Sequence, residues 1–293
     1  MHRLLILANP ISGGGKARLL APALATALRA RGIESEVHLT RSAGDAAARA
    51  ASAAAEGFSG LVAVGGDGTV NEVLNGMADP SMPLAVLPVG TANVLALELG
   101  LPRDPEVLAD LVASGSTRQL AIGLAAGRRF LLFCGIGLDG AVVQRLSQVR
   151  TGTLGKHKWA APILHTVLHW PKYNLSVTFD DGTRLEDVST VLVTRVRNYG
   201  GIAAMPPGID LGDGKLHVLC FRPRSRLAWV WLGLLAILRL LRPGRSLDHR
   251  TARSLTVTGP APCQVNGDHG GTTPLTVELA PVLATVFAPQ PRG

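Results

Sequence analysis

Short apolar runs alternate with longer amphipathic segments over roughly the first 120 residues. Residues 4–8 (Leu-Leu-Ile-Leu-Ala) are apolar throughout and are closed by Asn9-Pro10, and 17–31 carries apolar positions at helical spacing. The pattern then predicts a strand at 36–39, an alanine-rich helix at 45–56 and a strand at 61–64. A helix from Val70, a strand at 84–87 and helices at 93–99 and 105–114 follow. Strands with no polar alternation are buried on both faces, so this half predicts an α/β, Rossmann-like domain on a parallel sheet.

Beyond residue 120 the pattern changes. Segments 118–124 and 128–134 flank an Ala-Ala-Gly turn, and 175–179 and 185–194 flank Asp180-Asp181-Gly182. Further strands are predicted at 215–221, 254–258 and 275–279. Tight glycine turns between strands mark antiparallel hairpins. The expected organisation is an α/β domain over 1–120 and a mainly antiparallel β domain over 121–293, whose last residues are free to return to the first. No internal repeat or disordered linker is visible.

Composition narrows the partners. Of 293 residues 47% are apolar and 34 more are glycine, while 17% are charged against a norm of about 25%. Such a chain buries enough apolar area to offset its conformational entropy, which excludes intrinsic disorder. The net charge of +8 points to an anionic partner, whether nucleotide, nucleic acid or acidic lipid headgroup. With 4% aromatics there are few platforms for stacking bases, which argues against nucleic acid. Cys134, Cys220 and Cys263 form no Cys-x-x-Cys, so neither a disulfide framework nor a cysteine zinc site follows. The first apolar run is too short for a signal peptide, and the expected compartment is the cytoplasm. His165 and His169 share i, i+4 spacing without a third ligand or a His-Glu-x-x-His motif, so no metal site is assigned to them.

Three glycine loops follow predicted strands of the first half: Asn9-Pro10-Ile11-Ser12-Gly13-Gly14-Gly15-Lys16, Gly65-Gly66-Asp67-Gly68-Thr69 and Pro88-Val89-Gly90-Thr91-Ala92-Asn93. In open parallel sheets ligands bind outside the carboxyl ends of the strands, where these loops would converge. Glycine lets backbone N–H groups approach phosphate oxygens, and a helix N-terminus adds favourable dipole charge. Thr69 and Glu72 have capping-box spacing for a helix that starts after the second loop. Walker A fails, because Pro10 holds its first glycine position and Ala17 follows Lys16. The Rossmann fingerprint fails too, with Arg18 and Asn71 where its third glycine belongs.

Taken in order, Asn9-Pro10 with Ser12-Gly13, Gly-Gly-Asp-Gly-Thr at 65–69 with Asn71-Glu72, and Pro-x-Gly-Thr-x-Asn at 88–93 resemble the diacylglycerol kinase catalytic family, which includes bacterial soluble lipid kinases, sphingosine kinases and ceramide kinases. Gly135-Ile136-Gly137-Leu138-Asp139, Asn198-Tyr199-Gly200-Gly201 and Asp213-Gly214-Lys215-Leu216 extend the likeness over nearly the whole chain. Gly-Gly-Asp-Gly-Thr alone is shared with NAD kinases and, loosely, with phosphofructokinases. The resemblance implies an NAD-kinase-like α/β domain and a β-sandwich with the active site in the cleft between them. It also implies an ATP-dependent transfer of phosphate to a lipid hydroxyl. The competing readings are an NAD-kinase-like activity and a catalytically weak lipid- or nucleotide-binding protein.

Residue by residue, the resemblance places ATP on Asn9, Ser12, Gly13, Thr40, Gly65, Gly66, Asp67, Gly68, Thr69, Glu72 and Thr91, with Asp67 the carboxylate for Mg²⁺ or its waters. It implies a second, structural magnesium held by Asp213 and by the backbone carbonyls of Asp210 and Lys215; a hairpin turn is the alternative for Asp213-Gly214. The chain also departs from its relatives. Acids common in the family are replaced by Val94 and Ala121, and the usual Asp-Gly-Glu reads Asn266-Gly267-Asp268. Asn266 cannot accept a proton, which leaves Asp268 as the expected base.

The run 227–238 is wholly apolar, contains Trp229 and Trp231, and is bounded by Arg226 and Arg239, with Arg222, Arg224, Arg242 and Arg245 nearby. It is too short to span a bilayer, which takes roughly 20 residues. Burial in the core is expected for most of its length, while the arginine collar suits docking on an anionic membrane surface. Lys156-His157-Lys158-Trp159 is a second surface patch, with a solvated loop as its plainer description. The expected protein is cytoplasmic and peripherally membrane-associated. Its oligomeric state is open, and a homodimer is one of the states considered.

Overall fold

A computed structural model describes residues 3–149 and 172–290, together with Thr166 and His169. The patch at 156–159 and His165 of the histidine pair lie outside the described residues. The chain divides into two compact units, Met1–Ala121 with Pro281–Gly293, and Ile122–Ala280.

The first unit contains β1 (Arg3–Ala8), α1 (Lys16–Ala30), β2 (Glu34–Leu39), α2 (Asp45–Ser52) and β3 (Gly60–Gly65). It continues with α3 (Asp67–Gly76), β4 (Leu84–Pro88), α4 (Val94–Leu99) and α5 (Pro105–Ala113). The strands lie in the order β2-β1-β3-β4 and all pair in parallel. Successive residues of β1 and β3 are buried on both faces, as their unbroken apolar runs require. On one face Leu4, Ile6, Val62, Val64, Ala85 and Leu87 form a core with Ala17, Ala21, Leu24 and Leu28 of α1 and Leu108, Ala109 and Val112 of α5. The α1 positions recur every three or four residues, which puts them on a single stripe. The α5 N-terminus is fixed by Asp104, whose carboxylate accepts the Glu106 N–H at 2.8 Å and the Val107 N–H at 3.3 Å.

The second unit includes β6 (Arg128–Phe130), β7 (Phe133–Ile136), α6 (Leu138–Val149), β8 (Leu175–Phe179), β9 (Arg184–Val188) and β10 (Thr190–Thr194), with β5 (Thr117–Ala125) entering it. After the two-residue strands β11 (Asn198–Tyr199) and β12 (Ala203–Ala204) come β13 (Leu216–Phe221), α7 (Arg226–Ile237), β14 (Leu247–Ala252), β15 (Ser254–Thr258), β16 (Pro262–Val265) and β17 (Asp268–Thr272). The last strand, β18 (Leu275–Phe287), begins in this unit and ends in the first, where Val286 pairs in parallel with Leu84.

One antiparallel sheet runs β14-β13-β10-β7-β16-β17, and the strands β18-β15-β8-β9 form a second antiparallel array. Ile136, Val177, Val191, Val193, Val218, Leu255, Val257, Val265 and Val277, drawn from both arrays, share one buried core, which makes this unit a β-sandwich. The expected fold class is borne out.

Several elements differ in extent from the sequence pattern. The segment 185–194 is not one strand: β9 pairs with β8 in one array, and β10 joins the other. Asp187 takes a left-handed φ of 56° just before the break, and the β8–β9 register shifts there, so the chain bends from one sheet into the other. The segment 128–134 breaks in the same way into β6 and β7. Helix α2 stops at Ser52, short of 56. Helix α3 starts at Asp67, ahead of Val70, so Thr69 lies inside the helix, no side chain caps it, and the capping box does not form.

Candidate functional site

Strands β1, β3 and β4 are neighbours, and each is followed by one of the three glycine loops. The loops touch backbone to backbone. A Cβ on Gly90 would overlap the Cα of Gly66, and a Cβ on Gly13 would overlap the Val89 carbonyl oxygen. The Val89 N–H donates to the Gly65 carbonyl at 2.9 Å, which ties the third loop to the end of β3. Only glycine permits approaches this close, which is the physical reason for its density here. Gly13, at φ 62°, also sits in the left-handed region that glycine enters freely.

The residues expected to hold ATP fall on this edge. Asn9 follows β1, and its Oδ1 accepts the Ile11 N–H at 3.2 Å. Thr40 follows β2 and donates its backbone N–H to the Ala8 carbonyl at 2.9 Å. Gly68 and Thr91 are exposed, while Ser12 and Thr69 are buried. Thr69 packs its side chain beneath Gly65, so its contribution to a ligand would come from the main chain. Glu72 is half-buried one turn further along α3.

Asp67 is the first residue of α3, and its carboxylate reaches across to the start of α4. Oδ2 accepts the Val94 N–H at 3.1 Å and Oδ1 the Leu95 N–H at 3.4 Å. Burial pushes the Asp67 carboxyl above its usual range, and these backbone donors oppose the rise. Asn93, in a left-handed conformation at φ 49°, donates Nδ2–H to the Gly90 carbonyl at 2.7 Å. Its Oδ1 is buried with no hydrogen-bond partner among the described residues. A buried acceptor left unpaired costs about 1–3 kcal/mol, so this oxygen is suited to a ligand that brings a donor or a cation. The glycine cradle, the carboxylate of Asp67 and the orphan oxygen of Asn93 fit a phosphate group with Mg²⁺. Val94 and Ala121, which replace family acids, are both buried among apolar side chains.

Asp268, the expected base, opens β17 and is exposed. It follows a tight turn in which Asn266 and Gly267 have φ of 50° and 86°, the signature of an Asn-Gly hairpin. Asn266 also accepts the Phe133 N–H on its Oδ1 at 3.2 Å and donates its own N–H to the Phe133 carbonyl at 2.9 Å. Its amide therefore anchors the hairpin to β7. Asp139, in the Gly-x-Gly-x-Asp segment, accepts from the Tyr199 hydroxyl and from Gln264 Nε2, the latter at 2.6 Å. It joins α6, β11 and β16, a role the sequence did not disclose.

The expected second magnesium site does not fit its surroundings. The Lys215 carbonyl oxygen accepts Nη1–H of Arg195 at 2.5 Å. The two carboxylate oxygens of Asp213 accept the Lys215 N–H at 3.0 Å and lie 2.8 Å from His217 Nε2. The Asp210 carbonyl accepts the Asp213 N–H at 3.3 Å. Asp213-Gly214 is likewise not a hairpin turn, since the strands on either side, β12 and β13, are not paired with each other.

Helix α7 corrects the expectation of core burial. Only Leu232 and Ala236 are buried, against Leu192, Leu219 and Phe221 on the outer face of the β13–β10 sheet. Leu227 is 80% exposed and Trp231 58%, and Val230, Leu234, Ile237 and Leu238 are exposed with them. These positions repeat at three- and four-residue intervals and form one apolar stripe toward solvent. Arg224, Arg226, Arg239, Arg242 and Arg245 are exposed around it, and the sequence from 214 to 247 contains no acid. No helix among the described residues is long and apolar enough to cross a membrane.

Residues 3–125 match the diacylglycerol kinase catalytic domain, and residues 133–288 match the YegS C-terminal NAD kinase beta sandwich-like domain. The chain is 28% identical to the diacylglycerol kinase of Bacillus subtilis (strain 168) over 281 residues, covering 94% of this chain and 92% of that protein. It is 28% identical to the diacylglycerol kinase of Mycobacterium tuberculosis (strain ATCC 25618 / H37Rv) over 298 residues, covering 98% and 94%. The fold is similar to that in a crystal structure of a diacylglycerol kinase from Bacillus anthracis str. Sterne, with a TM-score of 0.74 and 23% identity over 98% of this chain and 97% of that one.

Proposed function

The chain belongs to the diacylglycerol kinase catalytic family and is a lipid kinase, and on that footing we propose that it transfers the γ-phosphate of ATP, with Mg²⁺, to the hydroxyl of a neutral lipid such as diacylglycerol or a sphingoid lipid. The observation that carries this reading is the contact of three glycine loops at the ends of β1, β3 and β4, beside Asp67 and the unpartnered Asn93 oxygen.

Phosphoryl transfer asks mainly for positioning and charge stabilisation. The backbone N–H groups of Gly13, Gly66, Gly68 and Thr91 cradle the phosphates, and Asp67 holds the metal or its waters. Bound there, Mg²⁺ would supply positive charge to offset the negative charge that develops on the transferring phosphate. The Asp268 carboxylate takes the proton from the lipid hydroxyl, directly or through one water. Asp210, Asp213 and Lys215 take no part in this scheme.

The apolar stripe of α7 with its arginine rim supports peripheral docking on an anionic membrane surface, where the acceptor resides. The protein would sediment with vesicles containing anionic lipid in preference to neutral ones, and salt would weaken the binding. Binding that is absent or indifferent to salt removes the docking proposal.

The kinase reading is tested by incubating the purified protein with γ-labelled ATP, Mg²⁺ and a panel of diacylglycerol, sphingoid base and ceramide, with products identified by mass spectrometry. Label is expected in a lipid phosphate. Label in NADP when NAD is supplied, with none in any lipid, would overturn it.

A further inference from the structure

Arg195 follows β10, and its side chain is fully buried, at 0% exposure. Its planar fork is turned on the 210–215 loop: Nη1–H donates to the Lys215 carbonyl at 2.5 Å and Nη2–H to the Leu211 carbonyl at 2.6 Å. The carboxylates of Asp210 and Asp213 add a negative field that favours the guanidinium, against the cost of its burial. The two carboxylates of the loop also make contacts within the chain. Asp210 Oδ1 accepts the Gly212 N–H at 2.8 Å, and Asp213 meets both the Lys215 N–H and His217, whose Nδ1 lies 3.0 Å from His249 Nε2.

We infer that the Arg195 guanidinium is the resident cation of the 210–215 loop, doing within this chain what a bound divalent ion would otherwise do there. The chemistry favours this arrangement. A guanidinium is planar, carries its donors in a rigid fork and stays charged at any usable pH, so it suits two carbonyl oxygens held side by side. Magnesium demands near-octahedral oxygen ligands at about 2.0–2.1 Å. To recruit the Lys215 carbonyl it would have to share that oxygen with a fixed positive charge, and a dication beside a buried guanidinium is repelled. The loop is thus folded and charge-balanced without metal, and the second unit does not depend on divalent ions for its stability. This inference concerns a loop that takes no part in the proposed phosphate transfer.

The test uses the full chain without nucleotide or lipid, so its failure is separate from failure of the kinase reading. Thermal unfolding is compared in EDTA and in millimolar Mg²⁺, and Mn²⁺ binding is followed by electron paramagnetic resonance, for the wild type and for Asp213→Asn and Arg195→Met. The wild-type midpoint is expected to be the same in EDTA and Mg²⁺, and any bound Mn²⁺ to be indifferent to Asp213→Asn. Arg195→Met is expected to melt about 5 °C lower or more and to recover part of that loss in Mg²⁺. Should Arg195→Met fail to fold, the wild-type and Asp213→Asn measurements decide alone. A wild-type midpoint that rises with Mg²⁺, or a bound Mn²⁺ that Asp213→Asn abolishes, would overturn the inference.

Discussion

The Asp67 carboxylate accepts the backbone N–H of Val94 at 3.1 Å, so the acid of the glycine loop is held by the segment in which the family's usual second acid is missing. Val94 contributes its main chain to the site and its side chain to the core, where it is 1% exposed. In the proposed scheme Asp67 is the carboxylate of this edge through which a metal would act. Replacing Asp67 with Asn keeps an acceptor for α4 and removes the charge. The expected result is a loss of lipid phosphorylation of about a hundredfold or more with a small change in melting midpoint, read by radiolabel transfer and thermal unfolding. Retained turnover would remove Asp67 from the mechanism.

A Cβ on Gly90 would overlap Gly66, backbone against backbone, and neither loop can yield without moving its strand end. Gly90→Ala should destabilise the first unit by about 1–3 kcal/mol and weaken nucleotide binding along with it. Urea titration reads the first effect and equilibrium dialysis with labelled ATP the second. A variant as stable as the wild type with unchanged affinity would show that the close approach is not needed.

Asp268 is exposed and follows the Asn266-Gly267 turn, so its substitution should leave the fold intact. Asp268→Asn is expected to lower turnover by about 10²–10⁴-fold, as loss of a general base does, with an unchanged unfolding midpoint. Asn266→Asp retains the oxygen that accepts the Phe133 N–H and should fold normally; its rate relative to the wild type reports whether an acid at that position can still serve. Full turnover in Asp268→Asn would move the base elsewhere.

Cys134, Cys220 and Cys263 all face the sandwich core. Burial pushes the Cys134 thiol well above its normal range, that of Cys220 up to about 12 and that of Cys263 up to about 11. Since the thiolate is the reactive form, a disulfide reagent at mildly alkaline pH should find no accessible thiol in the native protein and all three after denaturation. Fast modification of any one of them in the native state would contradict this packing.

His249 lies beside His217, and burial together with that neighbour lowers its pKa below 6.5. In the unfolded chain the ring takes up its proton at higher pH than in the folded one, so the unfolded state binds more protons below 6.5 and folding stability falls as pH drops through that value. Above 6.5 the contribution is constant. Urea midpoints measured from slightly alkaline to mildly acidic pH should show this decline, and His249→Gln should flatten it. An unchanged slope in the variant would assign the acid sensitivity to other groups.

The α/β half was legible because its strands are buried on both faces and therefore read as unbroken apolar runs, and because the glycine loops stand at fixed places after them. The sandwich was less so. Its strands change sheet inside runs such as 185–194, where no glycine or proline marks the bend at Ser189; the cue is a left-handed Asp187, a conformation that sequence alone does not announce. The exposure of α7 is not legible in the sequence, because a helix that is apolar all round gives no hint of which face meets the sheet. The role of Arg195 is hidden for a related reason: an arginine after an apolar strand looks like a surface residue, and only the fold brings the carbonyls of Leu211 and Lys215 to it.

The central claim is that main-chain groups of three glycine loops, with Asp67, hold the triphosphate that is transferred. Equilibrium dialysis of labelled ATP with Mg²⁺ against the wild type and Asp67→Asn tests it most directly. Saturable binding of one ATP per chain, weakened in the variant and dependent on Mg²⁺, is the predicted result; no saturable binding to the wild type, or equal binding to both proteins, would contradict the account.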